Sequence, residues 1–299
     1  MKTHYLLVLA GLLVFSSCKN ETQSKDQTSE PIENEAEKTE TATATFISET
    51  LDLIHCESAV YDKNTNYVYA SQIGNSEPGD GAIARLNVDG SVDKIDFVGG
   101  LKDPKGIAIT NDRIYVSDVT VLVEADKATG EVLNRHTADS TKFLNDVAIS
   151  PSGDIFVSDT RTSVIYKLDK AGTFESWLDD AALDHPNGLL VLDNTMYVAC
   201  WGGGEAGGRI LKIDMATKAI AQVTAEPVGN MDGIRPYDAN HLLISDWQSG
   251  KVYKMSLEGD LEEVVQVGQS VGDIAYVPEK DLLLLPMNRQ SRLLFYSLK

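Results

Sequence analysis

An all-β, six-bladed β-propeller closed by its own N-terminal strand is the fold class this sequence predicts, and three observations carry it. One four-strand unit recurs six times. The copies are spaced as propeller blades are. The last copy lacks an outer strand, while one unpaired strand precedes the first copy.

The unit is plainest at residues 144–177, LNDVAISPSGDIFVSDTRTSVIYKLDKAGTFESW. It reads as an apolar strand, a Pro-Ser-Gly-Asp turn, a second strand, a third, an Asp-Lys-Ala-Gly turn and a fourth. The same plan appears at 57–70 (ESAVYDKNTNYVYA), 104–118 (PKGIAITNDRIYVSD), 186–200 (PNGLLVLDNTMYVAC), 231–246 (MDGIRPYDANHLLISD) and 272–286 (GDIAYVPEKDLLLLP). The entrance of the first strand in each copy is Glu57, Lys105, Asn145, Asn187, Asp232 and Asp273, with steps of 48, 40, 42, 45 and 41 residues. That is blade spacing. A β-sandwich does not predict six copies of one unit, and a solenoid has shorter coils. The sixth copy ends after its third strand (RLLFYSL), so the spare strand Phe46 to Ile54 (FISETLDLI) is expected to complete it and remove an open edge.

The segment before the propeller is of another kind. Lys2 and the apolar run Tyr5 to Phe15 form a signal peptide, too short for a spanning helix, over residues 1–17. Phe15-Ser16-Ser17-Cys18 resembles a bacterial lipobox, which makes Cys18 the lipidation site. Acyl chains contribute about 0.8 kcal/mol per buried CH₂, so several on one residue anchor firmly. Residues 18–45 are a polar tether without aromatic residues, unable to offset the entropy of ordering, and 46–299 are the propeller. The expected location is the bacterial cell envelope, periplasmic or surface-exposed, with the membrane met only through the lipid. A net charge of -19 excludes nucleic acid as a partner, and a monomer is expected. Only Cys56 and Cys200 remain beside Cys18, so there is no disulfide framework.

In a propeller the innermost strands line a central channel, and their first residues face one another. Here that ring is Glu57, Lys105, Asn145, Asn187, Asp232 and Asp273. Buried carboxylates are costly unless paired or bound to a cation. Carboxylates interleaved with amides, without Cys or His, are the donor set of a hard divalent cation, Ca²⁺ first, with Zn²⁺, Mn²⁺ or Mg²⁺ as alternatives. Lys105 reads either as a counter-ion for Asp103 or Asp273, or as a contact to an anionic substrate.

From Leu53 to Lys299 the chain resembles the gluconolactonase/regucalcin family and, more distantly, paraoxonases and diisopropyl fluorophosphatase. The resemblance rests on Glu57 after His55-Cys56, Asn145-Asp146, Asn187-Gly188, Asp232-Gly233, and the run from Val198 to Asp214. It implies Glu57, Asn187 and Asp232 as metal ligands, Asn145 as a further ligand or substrate contact, and Asp232 as the catalytic base. The implied activity is cation-dependent hydrolysis of a small-molecule lactone or ester. The chain departs from the family at Phe143, where sugar-lactone hydrolases carry Arg, and at Ser58-Ala59, where they carry Gly-Pro. No paraoxonase-type His pair is present.

Among other residues, Asp118, Asp159 and Asp246 end second strands in repeated Ser-Asp pairs and read as structural. Cys200 takes that place in the fourth copy and reads as a small buried residue. His55 and His185 are expected at the rim. Gly202 to Gly208 is a hairpin loop rather than a phosphate loop, since no helix follows. Trp177, Trp201 and Trp247 read as packing residues, the last two also placed to flank a pocket. Two other functions fit the fold: a non-enzymatic NHL-like binding propeller, which has no need of facing Glu57 and Asp232, and a strictosidine-synthase-like enzyme, which needs a late channel Glu where this chain offers Asp273.

Replacing Cys18 with Ser is expected to release the protein from membranes without changing propeller folding. Membrane fractionation checks this, and continued attachment overturns the lipobox reading.

Overall fold

The computed structural model describes residues 44–75 and 77–298. The signal peptide, Cys18 and all but the end of the tether lie outside the described residues. The chain forms six four-stranded antiparallel sheets, each traced from the centre outward, as a six-bladed β-propeller. Blade 1 is Cys56–Asp62, Tyr67–Gln72, Gly81–Asn87 and Val92–Leu101, and blades 2 to 5 repeat this order from Pro104, Leu144, Pro186 and Met231. The hairpin turns hold themselves by Asp side chains. Asp126 Oδ1 accepts the N–H groups of Ala128 and Thr129 (3.0 and 2.9 Å), and Asp169 and Asp214 do the same in blades 3 and 4.

Blade 6 takes Ala275–Val277, Leu282–Met287 and Arg292–Ser297 from the C-terminal end and its outer strand, Thr45–Leu51, from the N-terminal end. The pairing runs antiparallel from Thr45 opposite Ser297 to Leu51 opposite Arg292. Closure by the N-terminal strand is therefore observed, beginning one residue earlier than expected. A second latch lies at the channel, where the Asp273 N–H donates to Glu57 O (2.8 Å) and the Ala59 N–H to Asp273 O (2.9 Å), joining blades 6 and 1.

Each inter-blade space holds its own apolar cluster. Leu53, Leu86, Leu284 and Phe295 fill the space between blades 6 and 1, and Ile83, Val98, Ile107 and Val123 that between blades 1 and 2. Four similar clusters complete the ring. The alternation of apolar residues in the repeats thus packs sheet on sheet. Because no blade buries its faces alone, the ring must close for any blade to be stable.

Removing residues 45–54 is expected to broaden thermal unfolding and reduce soluble yield, while removing 19–43 leaves the melting curve unchanged. Equal tolerance of the two deletions in a thermal melt overturns the closure argument.

Candidate functional site

The channel residues are placed by a defect that every inner strand of blades 1 to 5 shares. In blade 1 Cys56 pairs with Gln72 and Ala59 with Ala70, so Glu57 and Ser58 together oppose Ser71. The same β-bulge sets Lys105-Gly106, Asn145-Asp146, Asn187-Gly188 and Asp232-Gly233 against single residues of their neighbours. A bulge leaves an N–H without a ladder partner. The buried serines of the Ser-Asp pairs answer this. Ser117, Ser158 and Ser245 accept the N–H of Gly106, Asp146 and Gly233 at 3.0, 2.9 and 2.8 Å. Each then donates to the next blade: Ser117 to Asn145 O, Ser158 to Asn187 O (2.7 Å), Ser245 to Gly272 O (2.8 Å). Inner strands approach so closely here that a Cβ on Gly188 would overlap the Asp232 carbonyl. This is the reason for glycine in the Asn-Gly and Asp-Gly motifs.

The register corrects one expectation. Val271 bridges Met287 as Cys56 pairs with Gln72, so the sixth residue at ring level is Gly272. Asp273 sits one position deeper, level with Ser58 and Asp146. Gly-Asp in blade 6 reverses the order of Asp-Gly in blade 5, and matching by residue type slid the strand by one.

The aspartates that follow the serines fix the loops entering the channel. Asp118 Oδ1 accepts the N–H groups of Lys102 and Asp103 (3.0 and 2.7 Å). Asp159 Oδ2 accepts those of Lys142 and Phe143 (2.6 and 3.1 Å), and Asp246 Oδ1 that of Asn230 (3.1 Å). Blades 1, 4 and 6 carry Gln72, Cys200 and Met287 instead. There the residue before the one paired with this position turns left-handed: His55 before Cys56 at φ 50°, His185 before Pro186 at 63° and Ser270 before Val271 at 74°. Such conformations cost energy in non-glycine residues. They turn two histidines toward the cavity.

Five side chains of the ring, Glu57, Lys105, Asn145, Asn187 and Asp232, are almost fully buried at the bottom of a cavity of about 600 Å³. Burial raises the Glu57 carboxyl to about 7, with Lys105 opposing that shift and Asp146 and Asp103 adding to it. Burial raises Asp232 well above the carboxylate range, reinforced by Glu57, Asp273 and Asp146 and countered by a hydrogen bond from Asn187. Glu57 Oε2 is buried and has no hydrogen-bond partner among the described residues. Asn145 Nδ2 donates to Thr160 Oγ1 (3.1 Å), which fixes the amide so that its oxygen is the free end. Lys105 Nζ pairs with Asp103 Oδ1 at 2.8 Å, so of its two suggested counter-ions it takes Asp103.

Beneath the ring lies an ion triad that no motif in the sequence marks. Arg235 donates to Asp273 and lies 3.5 Å from Asp146, while Ser58 Oγ donates to Asp273 Oδ2 (2.9 Å). Burial alone would lower the Arg235 pKa, but Asp273 and Asp146 raise it, so the guanidinium stays charged. Asp146 Oδ2 also accepts the Leu189 N–H (2.7 Å), tying blade 3 to blade 4. Arg235 was missed because it stands three residues past Asp232, on a strand read only at its entrance.

The upper walls are partly aromatic. Trp201 and Trp247 flank the cavity with centroids 5.6 Å apart, and Phe143 faces the same space. Lys105 and Arg161 each lie 4.8 Å from the Phe143 centroid. Trp177 packs elsewhere, against Phe156. Cys200 is buried, donates to Leu183 O (3.0 Å), and burial followed by the charge of Asp184 pushes its thiol up, so it is no nucleophile.

The donor set suits a hard cation. Among the described residues no three His, Cys, Asp or Glu side chains converge on one point. The ring instead offers two carboxylates and two amides, all oxygen donors. Glu57 Oε2 is the orphaned acceptor that a cation would satisfy.

Solved structures share this architecture. A gluconolactonase from Xanthomonas campestris is 18% identical, with TM-score 0.64 and coverage of 86% of this chain and 87% of that one. A calcium-binding regucalcin from Agrobacterium tumefaciens is 17% identical, with TM-score 0.63 and coverage of 85% and 94%. The fold is the propeller of the gluconolactonases and regucalcins. A virginiamycin B lyase from Staphylococcus aureus shares it at 12% identity, with TM-score 0.62 and coverage of 84% and 98%. At these identities the likeness establishes the fold, and fold does not determine chemistry. No protein-family model and no curated protein sequence matches the chain.

The raised Glu57 carboxyl has a consequence for stability. The folded protein keeps this proton to about 7, while the unfolded chain loses it near 4.5. The native state then binds more protons than the unfolded state across that window, and stability falls as pH rises through it. In chelator, Glu57→Gln is expected to gain stability over the wild type progressively between these values and to hold a constant advantage above them. Denaturant titrations at a series of pH values check this, and a pH-independent difference overturns it.

Proposed function

We propose that this propeller is a cation-dependent hydrolase of lactones or esters, held at the bacterial cell envelope through Cys18. The observation that carries the reading is the pair of buried carboxylates, Glu57 and Asp232, set among Asn145 and Asn187 at the bottom of an open cavity, with Glu57 Oε2 unpartnered. A binding scaffold gains nothing from this arrangement, since each buried carboxylate without a partner costs stability. The gluconolactonase and regucalcin neighbours support it at the level of fold.

Glu57, Asn145, Asn187 and Asp232 would hold a divalent cation, with Ca²⁺ the best match to oxygen donors. When bound, the ion supplies Lewis acidity to a carbonyl oxygen and charge stabilisation to the oxyanion that develops. Beside a bound cation, whose charge would offset the burial that raises its carboxyl, Asp232 would serve as general base and take a proton from water. Asn187 orients Asp232 through their hydrogen bond, and Thr160 orients Asn145. The triad of Asp146, Arg235 and Asp273 holds three inner strands at fixed separation beneath the reacting groups. Trp201, Trp247 and Phe143 give the upper cavity apolar walls.

The purified protein is expected to carry one divalent ion per chain by elemental analysis and to hydrolyse members of a lactone and ester panel only when chelator is absent. Calcium at a hundredfold excess over its dissociation constant should stabilise the fold by about 2.7 kcal/mol. Asp232→Asn should lower hydrolysis by at least about 10²-fold while some cation binding remains. Glu57→Gln should weaken both cation binding and hydrolysis. If both variants keep the wild-type calcium-induced thermal shift, the hydrolase reading fails and the binding propeller takes its place.

A further inference from the structure

The cavity holds cations that the hydrolytic machinery does not use. Lys105 and Arg161 approach one aromatic ring, each 4.8 Å from the Phe143 centroid, and both line the space above the ring. Their placement is built. The Asp159 carboxylate accepts the Phe143 N–H at Oδ2 and the Arg161 N–H at Oδ1, both at 3.1 Å, so one buried group fixes the ring and the guanidinium together. Lys105 spends two of its three donors on Asp103, at 2.8 and 3.3 Å, and keeps one. The Arg161 side chain makes no ion pair or hydrogen bond among the described residues, so its fork of donors remains free.

The carboxylates of Asp103 and Asp159 balance the two cations on this wall, so what it offers a ligand is unspent donors, the Arg161 fork and one donor of Lys105. A planar fork with unspent donors matches a carboxylate, which accepts two parallel bonds. Around this spot the cavity is aromatic, with Phe143 at the cations and Trp201 and Trp247 on the side of blades 4 and 5. Burying one charge within apolar walls selects a ligand with the same division.

We propose that Arg161 and Lys105 form a carboxylate subsite, and that the substrates are lactones or esters bearing one carboxylate on a flat, apolar body. The inference rests on the hydrolase reading of the same cavity. It also accounts for Phe143. Where the resembling hydrolases carry an arginine on the strand entrance, this chain brings one from the following turn and lays it on the aromatic ring.

The test uses binding alone, so it is independent of turnover. The full chain carrying Cys18→Ser and Trp177→Phe retains only the cavity tryptophans, whose fluorescence reports occupancy. The probes are 3-phenylpropanoate and 3-phenylpropanamide, alike in shape and inert to hydrolysis. The acid is expected to bind at least about tenfold more tightly than the amide, as one charge-assisted bond requires. That preference should shrink with added salt. Arg161→Ala should abolish the preference without changing the affinity for the amide, and Arg161→Lys should restore part of it. Arg161 is exposed, so these variants leave the core intact. Equal binding of the two probes, or an equal loss of both in Arg161→Ala, overturns the subsite. A preference for the acid in a protein that hydrolyses nothing sinks the hydrolase reading and keeps the subsite. Hydrolysis of neutral lactones without any preference does the reverse.

Discussion

Four nearly buried carboxylates share one channel: Glu57 and Asp232 at ring level, Asp146 and Asp273 one residue deeper. Their mutual repulsion is the constraint on which the centre of the molecule depends. The lower pair is largely held by the protein itself, because Arg235 reaches both and Ser58 donates to Asp273 Oδ2, although Asp273 Oδ1 has no hydrogen-bond partner among the described residues. The upper pair is not. Lys105 is near enough to lower the Glu57 pKa, yet its charge is committed to Asp103. One level thus holds the protein's own cation, and the other leaves Glu57 Oε2 without one, an acceptor that an external cation fits.

The levels differ because of the residue that follows each ring position. Inner strands meet so tightly that this second position is glycine in blades 2, 4 and 5. The exceptions are Ser58, Asp146 and Asp273, and all three belong to the Arg235 network. The network therefore occupies the second positions that close packing does not reserve for glycine. It also spans blades 1, 3, 5 and 6, so the floor of the cavity is cross-braced independently of the apolar clusters between sheets.

Above the ring, regularity and exception divide in another way. Blades 2, 3 and 5 keep an aspartate that ties the entering loop by its N–H groups. Blades 1, 4 and 6 lack it, and their loops turn left-handed, which brings His55 and His185 to the cavity. The repeat builds the scaffold, and departures from it furnish the walls. Propellers of the same fold include a gluconolactonase and a lyase. That one architecture serves both shows that the fold alone does not set the chemistry.

By itself the sequence determined the propeller, its six blades, closure by the first strand, and five ring positions at the cavity bottom. Each follows from short-range regularity: apolar alternation, turn residues and spacing repeat in every blade, so each copy corroborates the others. The sixth ring position was misread because only strand register separates Gly272 from Asp273, and register depends on which residue of Met287's strand faces Val271. Arg235 and Arg161 were illegible for a related reason. Neither lies at a repeated position, and each has meaning only through partners on other strands: Asp273 is 38 residues from Arg235, and Phe143 meets Arg161 across a hairpin. Local pattern reports what a strand is, whereas charge balance in a closed channel depends on all six blades at once, and only the assembled ring decides it.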